Sequence, residues 1–501
     1  MKSIVNRYID SFIICFAIIG MIFSHAIMSF SMVFMAIRFL FLDKSILKTY
    51  SKDLLIAIFS FFALILIGNI WSDNLYDALK QTEKSLPFLI VPLYLLSLPL
   101  QSTKNIKLYA HTYILSLLTA VGIGFFNIIT IENPDLRTVM PFCSHIRFAL
   151  HLTLAISFII LYCVRNKSKL QTPQILVLLF IALLFEFYML ITSSLTGVII
   201  SLFIVLIVLP LYFIFTKRNK KILIGLLVGL MSLILLITSC FLYYVNDYFE
   251  PKQGEKIENL VIENGNYIFE DVDYAQMQEG VKKYLNESED AVCKSREGEY
   301  LYVDIAIRYL NSKGYEKNLN GWSKLSSKDL ENIKNGIPNY VYAEKIPLKA
   351  RLYSTFYEIE AFNKEGKVKG SSLIQKFELW KHSLTVIKQN FLIGVGTGDV
   401  PRELKKQLQE NSSSLAETNM RPHNQYFSIV FSYGILGLLI WFVFLFYPMF
   451  RQSLNTNPYY LVFLIIMLIS FVSEDTLDNQ AGIMMFCCWN YFFLSKQLQQ
   501  Q

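Results

Sequence analysis

The 501-residue chain is 54% hydrophobic and 17% charged, with a mean hydropathy of +0.41. A soluble domain carries about a quarter charged residues, so the composition excludes an ordinary soluble enzyme, a disordered tail and a disulfide scaffold. The net charge of +7 is no nucleic-acid footprint: residues 246–423 hold 52 of the 85 charges and are slightly acidic, and the basic surplus sits in short loops of the apolar remainder.

A membrane-spanning helix needs about 20 mostly apolar residues. Twelve segments are candidates: 9–24, 26–42, 54–71, 85–99, 107–130, 146–163, 173–192, 195–216, 221–245, 425–449, 457–473 and 480–495. Lys2 and Arg7 precede the first run and no small-residue cleavage site follows, so it reads as an uncleaved helix. The expected fold is an all-α polytopic membrane protein of about twelve transmembrane helices with one large, mostly helical insert. The expected division is 1–245 (spans one to nine), 246–423 (the insert) and 424–501 (spans ten to twelve).

Loop charges orient this arrangement. With the N-terminus in the cytoplasm, the cytoplasmic segments hold 17 basic residues, among them Lys44, Lys48, Lys52 and the run Lys217–Lys221. The short outer loops hold four, Lys80, Lys84, Arg137 and Arg147. That bias follows the positive-inside rule and sends the insert outside the cytoplasm, away from ATP, nucleotide sugars and NADH.

Within the insert, Tyr274–Tyr284, Tyr302–Asn311 and Ser326–Asn335 read as short amphipathic helices, the last ended by Gly336 and Pro338. Over 372–391, Leu373, Phe377, Trp380, Leu384, Ile387 and Phe391 recur at steps of three and four. That apolar face, with Lys376, Lys381 and Lys388 beside it, suits a helix lying near the membrane interface. Of the seven cysteines, only Cys143 and Cys293 read as exposed, and they could pair in an oxidising compartment.

Ionisable residues inside the spans are few: Glu186 near the middle of one, His111 and His151 near ends. That sparseness counts against a transporter, and Glu186 reads as a structural partner to another helix. Polar residues gather instead at the outer ends: Ser144–Arg147, Ser193–Gly197, Lys376–Trp380 with Gly394–Asp399, Arg421–Tyr426, and more weakly Ser473–Asp478. Taken singly they are unremarkable. Arg147 can be a snorkelling helix-end residue, His423 an interfacial histidine, the glycines a turn, and Asp271-Val272-Asp273 a solvated turn. No zinc spacing, phosphate loop or serine-hydrolase motif is present. Together, however, arginines at headgroup depth suit a diphosphate, and a histidine nearby suits a general base. That pairing describes glycosyl transfer from a polyprenyl-diphosphate sugar, for which neither metal nor cofactor is called for.

The chain resembles the O-antigen ligase and O-antigen polymerase family of bacterial envelope proteins. The matching stretches are His145-Ile146-Arg147-Phe148, Ser193-Ser194 with Thr196-Gly197, Glu378-Leu379-Trp380-Lys381, Gly394–Asp399, and Arg421-Pro422-His423-Asn424-Gln425-Tyr426 followed by Gly434-Ile435-Leu436-Gly437. In the insert, Arg308-Tyr309-Leu310 with Ser312-Lys313-Gly314 is also similar. The resemblance implies an inverting, metal-independent transferase in the bacterial inner membrane. It would move a glycan from undecaprenyl diphosphate to an acceptor glycan, lipid A core or a growing polysaccharide, on the periplasmic face. Ligase, polymerase and protein O-oligosaccharyltransferase share these residues. His423 takes the place of the general base, and Arg147 and Arg421 those of diphosphate ligands. Lys376 stands where many relatives carry Arg, keeping the charge without the fork, and Leu195 replaces a further Arg. Either the cationic role leans on Arg147, Arg421 and, from the insert, Arg351, or the activity is weaker or altered.

Overall fold

The computed structural model describes residues 2–99, 101–131, 136, 138–140, 142–212, 220–252, 260–295, 298–344, 347–368, 370–417 and 420–495. Arg137, Lys217, Arg218 and Lys496, which enter the charge asymmetry, lie outside the described residues. The chain divides into two compact units, residues 1–223, 379–411 and 417–501, and residues 224–378 with 412–416.

The first unit is helical. In chain order it holds α1 (Lys2–Phe23), α2 (His25–Leu40), α3 (Lys52–Gly68), α4 (Leu75–Lys84), α5 (Pro87–Leu96), α6 (Thr103–Thr130), α7 (His145–Arg165), α8 (Thr172–Ile191) and α9 (Leu195–Phe203, continued by a π-turn over Ile204–Val208). After α10 (Lys220–Phe249), which leads into the second unit, come its later helices. Six helices among the described residues are long and apolar enough to cross a membrane: Asn6–Phe23, Thr103–Thr130, His145–Arg165, Thr172–Ile191, Leu195–Tyr212 and Gln425–Arg451. The expected span 85–99 contains only the ten-residue α5, with prolines at 87 and 92.

Burial follows the solvent that these helices meet. On α8, Leu176, Phe180, Leu183 and Phe187 are all more than half exposed and fall on one stripe, as a lipid-facing surface does. The core is aromatic: Phe61, Phe88, Phe444 and Phe486 pack in sequence with centroids 5.1–5.7 Å apart. A buried ion pair joins α1 to α2, Arg38 Nε to Asp10 at 2.8 Å. Glu186 accepts from Ser201 Oγ at 2.5 Å, tying α8 to α9.

The second unit has its own core around Tyr248, Met277, Tyr309, Trp322 and Tyr353. It contains α11 (Tyr274–Gly280), α12 (Tyr302–Lys313), α13 (Leu319–Ser323), α14 (Ser327–Lys334) and α15 (Pro347–Glu365), and the chain leaves it within α16 (Ser372–Gln389). The three helices expected in the insert are thus present. Asp273 of the D-x-D stretch caps α11 by accepting from Gln276 N at 3.1 Å. Ser326 and Asp329 form a reciprocal capping box on α14.

Two hairpins join these helices. Strand β1 (Ile262–Glu263) pairs antiparallel with β2 (Asn266–Tyr267), and β3 (Val292–Ser295) with β4 (Gly298–Leu301). Between β1 and β2, Asn264 and Gly265 both take positive φ, the type I′ pattern that Asn-Gly favours. Arg308 on α12 pairs with Glu263 at 2.9 Å and lies 3.5 Å over the Tyr357 ring. The Arg308-Tyr309-Leu310 motif is therefore a core element of this unit. All seven cysteines are free, and Cys293, expected at the surface, is buried by its place in β3.

The last helices of the first unit are α17 (Val400–Glu410), α18 (Gln425–Arg451), α19 (Pro458–Ser473) and α20 (Gln480–Leu494). Helix α18 is broken at Gly434, whose φ of 64° and ψ of −167° are non-helical. The break frees backbone groups at membrane depth, where each needs a partner. The segment 391–396 supplies them: Val395 N and Gly396 N donate to Phe431 O and Ser432 O at 3.0 and 2.9 Å, and Ile435 N donates to Phe391 O at 2.8 Å. The approach is so close that a Cβ on Gly394 or Gly434 would fall 2.3 or 2.2 Å from backbone atoms of the other strand. Beyond it, Asp399 accepts from Ser72 Oγ, Asp73 N and Asn74 N at 2.5–3.1 Å. The Gly394–Asp399 stretch is a clasp that holds the broken helix against the α3–α4 turn.

Candidate functional site

The clasp fixes the start of α18, and the residues just before it carry the candidate chemistry. Asn424 is the N-cap, its side chain accepting from Phe427 N at 3.1 Å. His423 precedes it with φ of 52°, a left-handed conformation that a non-glycine residue adopts only under constraint. The constraint comes from both sides. Asp475 accepts from His423 N at 2.8 Å, from Asn424 N at 3.0 Å and from Ser428 Oγ at 2.6 Å. Trp380 Nε1 on α16 donates to Pro422 O at 2.8 Å. The imidazole is thereby held at the mouth of the helix with its side chain 40% exposed. Its Nδ1 stands 3.8 Å from Glu474 Oε2, an ion-pair distance.

Arg421 lies two residues back, and its guanidinium is already committed. It pairs with Asp478 and donates through Nη2 to Gln81 Oε1 at 3.3 Å. Asp478 also accepts from Gln425 Nε2 at 3.2 Å, and Gln425 Oε1 accepts from Leu477 N at 2.6 Å. Burial works against the Arg421 charge, but Asp478 and Asp475 outweigh it and push the pKa above the ordinary arginine value. Burial and the neighbouring Asp478 push the Asp475 carboxyl up, against the pull of the Ser428 hydroxyl, Arg421 and His423. At the end of α4, burial and repulsion from Arg421 and Lys80 push the Lys84 ammonium down. Gln81, Ser85, Arg421, Ser428, Tyr433 and Asp478 line a polar crevice here.

Arg147 is in the opposite condition. It sits in the first turn of α7, half-buried, and interacts electrostatically with Glu474. Among the described residues its guanidinium makes no hydrogen bond and no ion pair. Glu474 thus interacts with both His423 and Arg147, while Arg421 is bound to the acidic loop below.

Two sequence candidates lie in the second unit. Lys376 is on α16. Arg351 on α15 donates to Ser372 Oγ at 2.9 Å and stands 3.6 Å from Glu358, so its fork is tied within that unit. At the hairpin before α9, Ser194 N closes onto Met189 O at 2.9 Å, and Gly197 sits where a Cβ would fall 2.6 Å from Ala149 Cβ. That motif is explained by close packing of α9 on α7. Among the described residues no group of three or more His, Cys, Asp or Glu side chains could hold a metal ion.

A family model for O-antigen ligases matches residues 176–442, more than half of the chain. The chain belongs to the O-antigen ligase family. The matched region runs from α8 into α18 and includes Arg351, Lys376, Arg421 and His423; Arg147 lies before it. Membership makes this a multi-pass protein of the bacterial inner membrane in lipopolysaccharide biosynthesis, with a function of O-antigen ligase or polymerase type. Its substrates are of the family's kind, a lipid-linked glycan and an acceptor polysaccharide. No curated protein matches the chain.

Sequence reasoning undervalued the acidic loop. Ser473–Asp478 was visible as a polar stretch between two apolar runs. The donors to Asp475 and Asp478, and the place of Gln81, Gln425 and Ser428, come from elements up to 397 residues apart.

Proposed function

We propose that this O-antigen ligase family member transfers a glycan from undecaprenyl diphosphate to an acceptor sugar on the periplasmic face of the inner membrane. His423 serves as general base and Arg147 as diphosphate ligand. The observation that carries the reading is the contrast between the two arginines. A half-buried guanidinium that makes no hydrogen bond or ion pair among the described residues suits a bidentate anion such as a diphosphate, and Arg147 is that group. Arg421, held by Asp478 and Gln81, contributes its field and fixes the loop that carries His423.

The transfer needs no metal in principle, because a diphosphate is already a good leaving group. The His423 imidazole takes the proton from the acceptor hydroxyl as its oxygen attacks the anomeric carbon from the opposite face. The bond from that carbon to the diphosphate oxygen breaks, and its electron pair leaves on the diphosphate, where Arg147 meets the developing charge. The configuration at carbon is inverted. We place the segment 246–423 in the periplasm and assign Lys376 and Arg351 a supporting cationic role there.

The test is deletion in the host, complementation with the wild-type gene or His423→Ala, and gel analysis of extracted lipopolysaccharide. Collapse of the ladder to bare core, with lipid-linked polymer accumulating, assigns ligase activity; core with a single repeat assigns polymerase activity. In either case His423→Ala is expected to match the deletion while reaching the membrane at normal level. An unchanged ladder directs the search to a protein acceptor or another glycan, and near-normal transfer by His423→Ala rejects the mechanism.

A further inference from the structure

Glu474 has no place in the transfer reaction proposed above, yet its carboxylate interacts with both working groups. Its Oε2 lies 3.8 Å from His423 Nδ1, its side chain is three-quarters covered, and it also interacts with Arg147. Asp475, next in sequence, is a different case: its two oxygens are consumed by His423 N, Asn424 N and Ser428 Oγ, so it holds the backbone and not the ring. A carboxylate on the Nδ1 side of a histidine fixes the tautomer, leaving Nε2 with the lone pair. It also favours the imidazolium that forms when Nε2 takes a proton.

We infer that Glu474 is the positioning residue of a His–Glu dyad, holding the proton on His423 Nδ1 so that Nε2 faces the acceptor hydroxyl as base. The inference rests on the transfer reaction proposed above. In the transfer step the acceptor O–H proton passes to Nε2, and Glu474 balances the new positive charge without taking a proton itself. The imidazolium then returns that proton to water before the next turnover. Glu474 does a second job in the same position. Its charge offsets that of Arg147, so an incoming diphosphate competes with Glu474 for the guanidinium. The charged groups around the imidazole are Glu474 and Asp475 from the loop after α19, Arg421 from its own segment and Arg147 from α7; Lys381, on the helix that carries Trp380, is on an exposed position.

The experiment uses the full chain in nanodiscs with a lipid-linked glycan donor and its acceptor, comparing wild type, Glu474→Gln, Glu474→Asp and His423→Ala from pH 5 to 9. With Glu474→Gln, kcat is expected to fall roughly 10- to 100-fold, less than the roughly 100- to 10,000-fold that a general base contributes, because His423 itself remains. The KM for the donor is not expected to rise, because Arg147 loses a competitor. The acid limb of the rate profile is expected to move down by about one pH unit, as the imidazole loses an adjacent carboxylate. Glu474→Asp should recover part of the rate and of the limb. The pH dependence of diethyl pyrocarbonate labelling at His423, read by mass spectrometry of its peptide, follows the same pKa without turnover. A Glu474→Gln enzyme with wild-type kcat and an unmoved limb, beside an inactive His423→Ala, overturns the dyad and leaves the transfer reading intact. An active His423→Ala overturns the transfer reading itself.

Discussion

Arg147 and Arg421 show how one residue type takes two roles within a site. Arg421 is bonded to Asp478 and Gln81, and the loop carrying His423 depends on it. Removing it by Arg421→Ala leaves Asp478 and Asp475 without their cation, a loss on the order of 3 kcal/mol for a covered pair. The expected result is less folded protein, read as a lowered melting midpoint in fluorescence-detected size exclusion. Arg147 holds nothing in the described structure together, so Arg147→Lys should leave the midpoint unchanged. Its effect belongs to the reaction. Lysine keeps the charge but loses the fork, and a charge-assisted hydrogen bond is worth about 1.5–3 kcal/mol. Transfer in membrane vesicles is therefore expected to fall about 10- to 100-fold. Wild-type transfer by Arg147→Lys would remove Arg147 from the diphosphate site.

At the scale of elements, the broken helix α18 decides where His423 points. The break rests on Gly434, whose positive φ and backbone contacts leave no space for a Cβ. Gly434→Ala should therefore abolish folded protein, whereas Gly225→Ala, which meets nothing within 4 Å, should be silent; equal yields of the two by size exclusion would contradict the clasp. The apolar run 425–449 was legible as a helix because its composition is continuous. The kink was not, since an isolated glycine such as Gly434 or Gly437 in such a run is usually tolerated and the partners of Gly434 lie about 40 residues away. The Gly394–Asp399 motif was legible only as a turn for the same reason. Helix α14 is the reverse case, readable from Ser326, Gly336 and Pro338 because its signals are local. Its capping carboxylate also carries a pH dependence. Burial alone would raise Asp329, but Lys313, Tyr309 and Ser326 all donate to it and bring it down to about 2. A depressed carboxyl stabilises fully above its ordinary value and loses that contribution as pH falls toward the depressed one. After a discount for solvent screening, the contribution is on the order of 1 kcal/mol. Hydrogen exchange in α14 should be faster in Asp329→Asn than in wild type at pH 6, and the difference should shrink as the pH is lowered from 5 to 3.

For the whole molecule, the open quantity is parity. Seven of the twelve expected spans lie between Lys48 and Glu279, an odd number, so the two residues would face opposite sides. Among the described residues, four helices that meet the length and apolarity of a span lie between them, an even number, and would leave both on one side. The difference turns on α3, α5 and α10. Helix α3 rises about 26 Å over its 17 residues, close to the hydrocarbon thickness. Helix α5 rises only about 15 Å over ten residues, half of that thickness, and crosses only with help from the segments beside it. The positive-inside rule favours the odd count, which would put the basic Lys44, Lys48 and Lys52 on one side and the near-neutral insert on the other. Both Lys48 and Glu279 are exposed, so each can carry a single cysteine in a chain whose exposed Cys240 is replaced by serine. Glu279→Cys is expected to react with a membrane-impermeant maleimide in spheroplasts. Lys48→Cys should react only after lysis. Labelling of both in intact spheroplasts would reject the odd count. Labelling of Lys48→Cys alone would invert the orientation and place His423 in the cytoplasm, which would remove the proposed chemistry from the face where it is placed here.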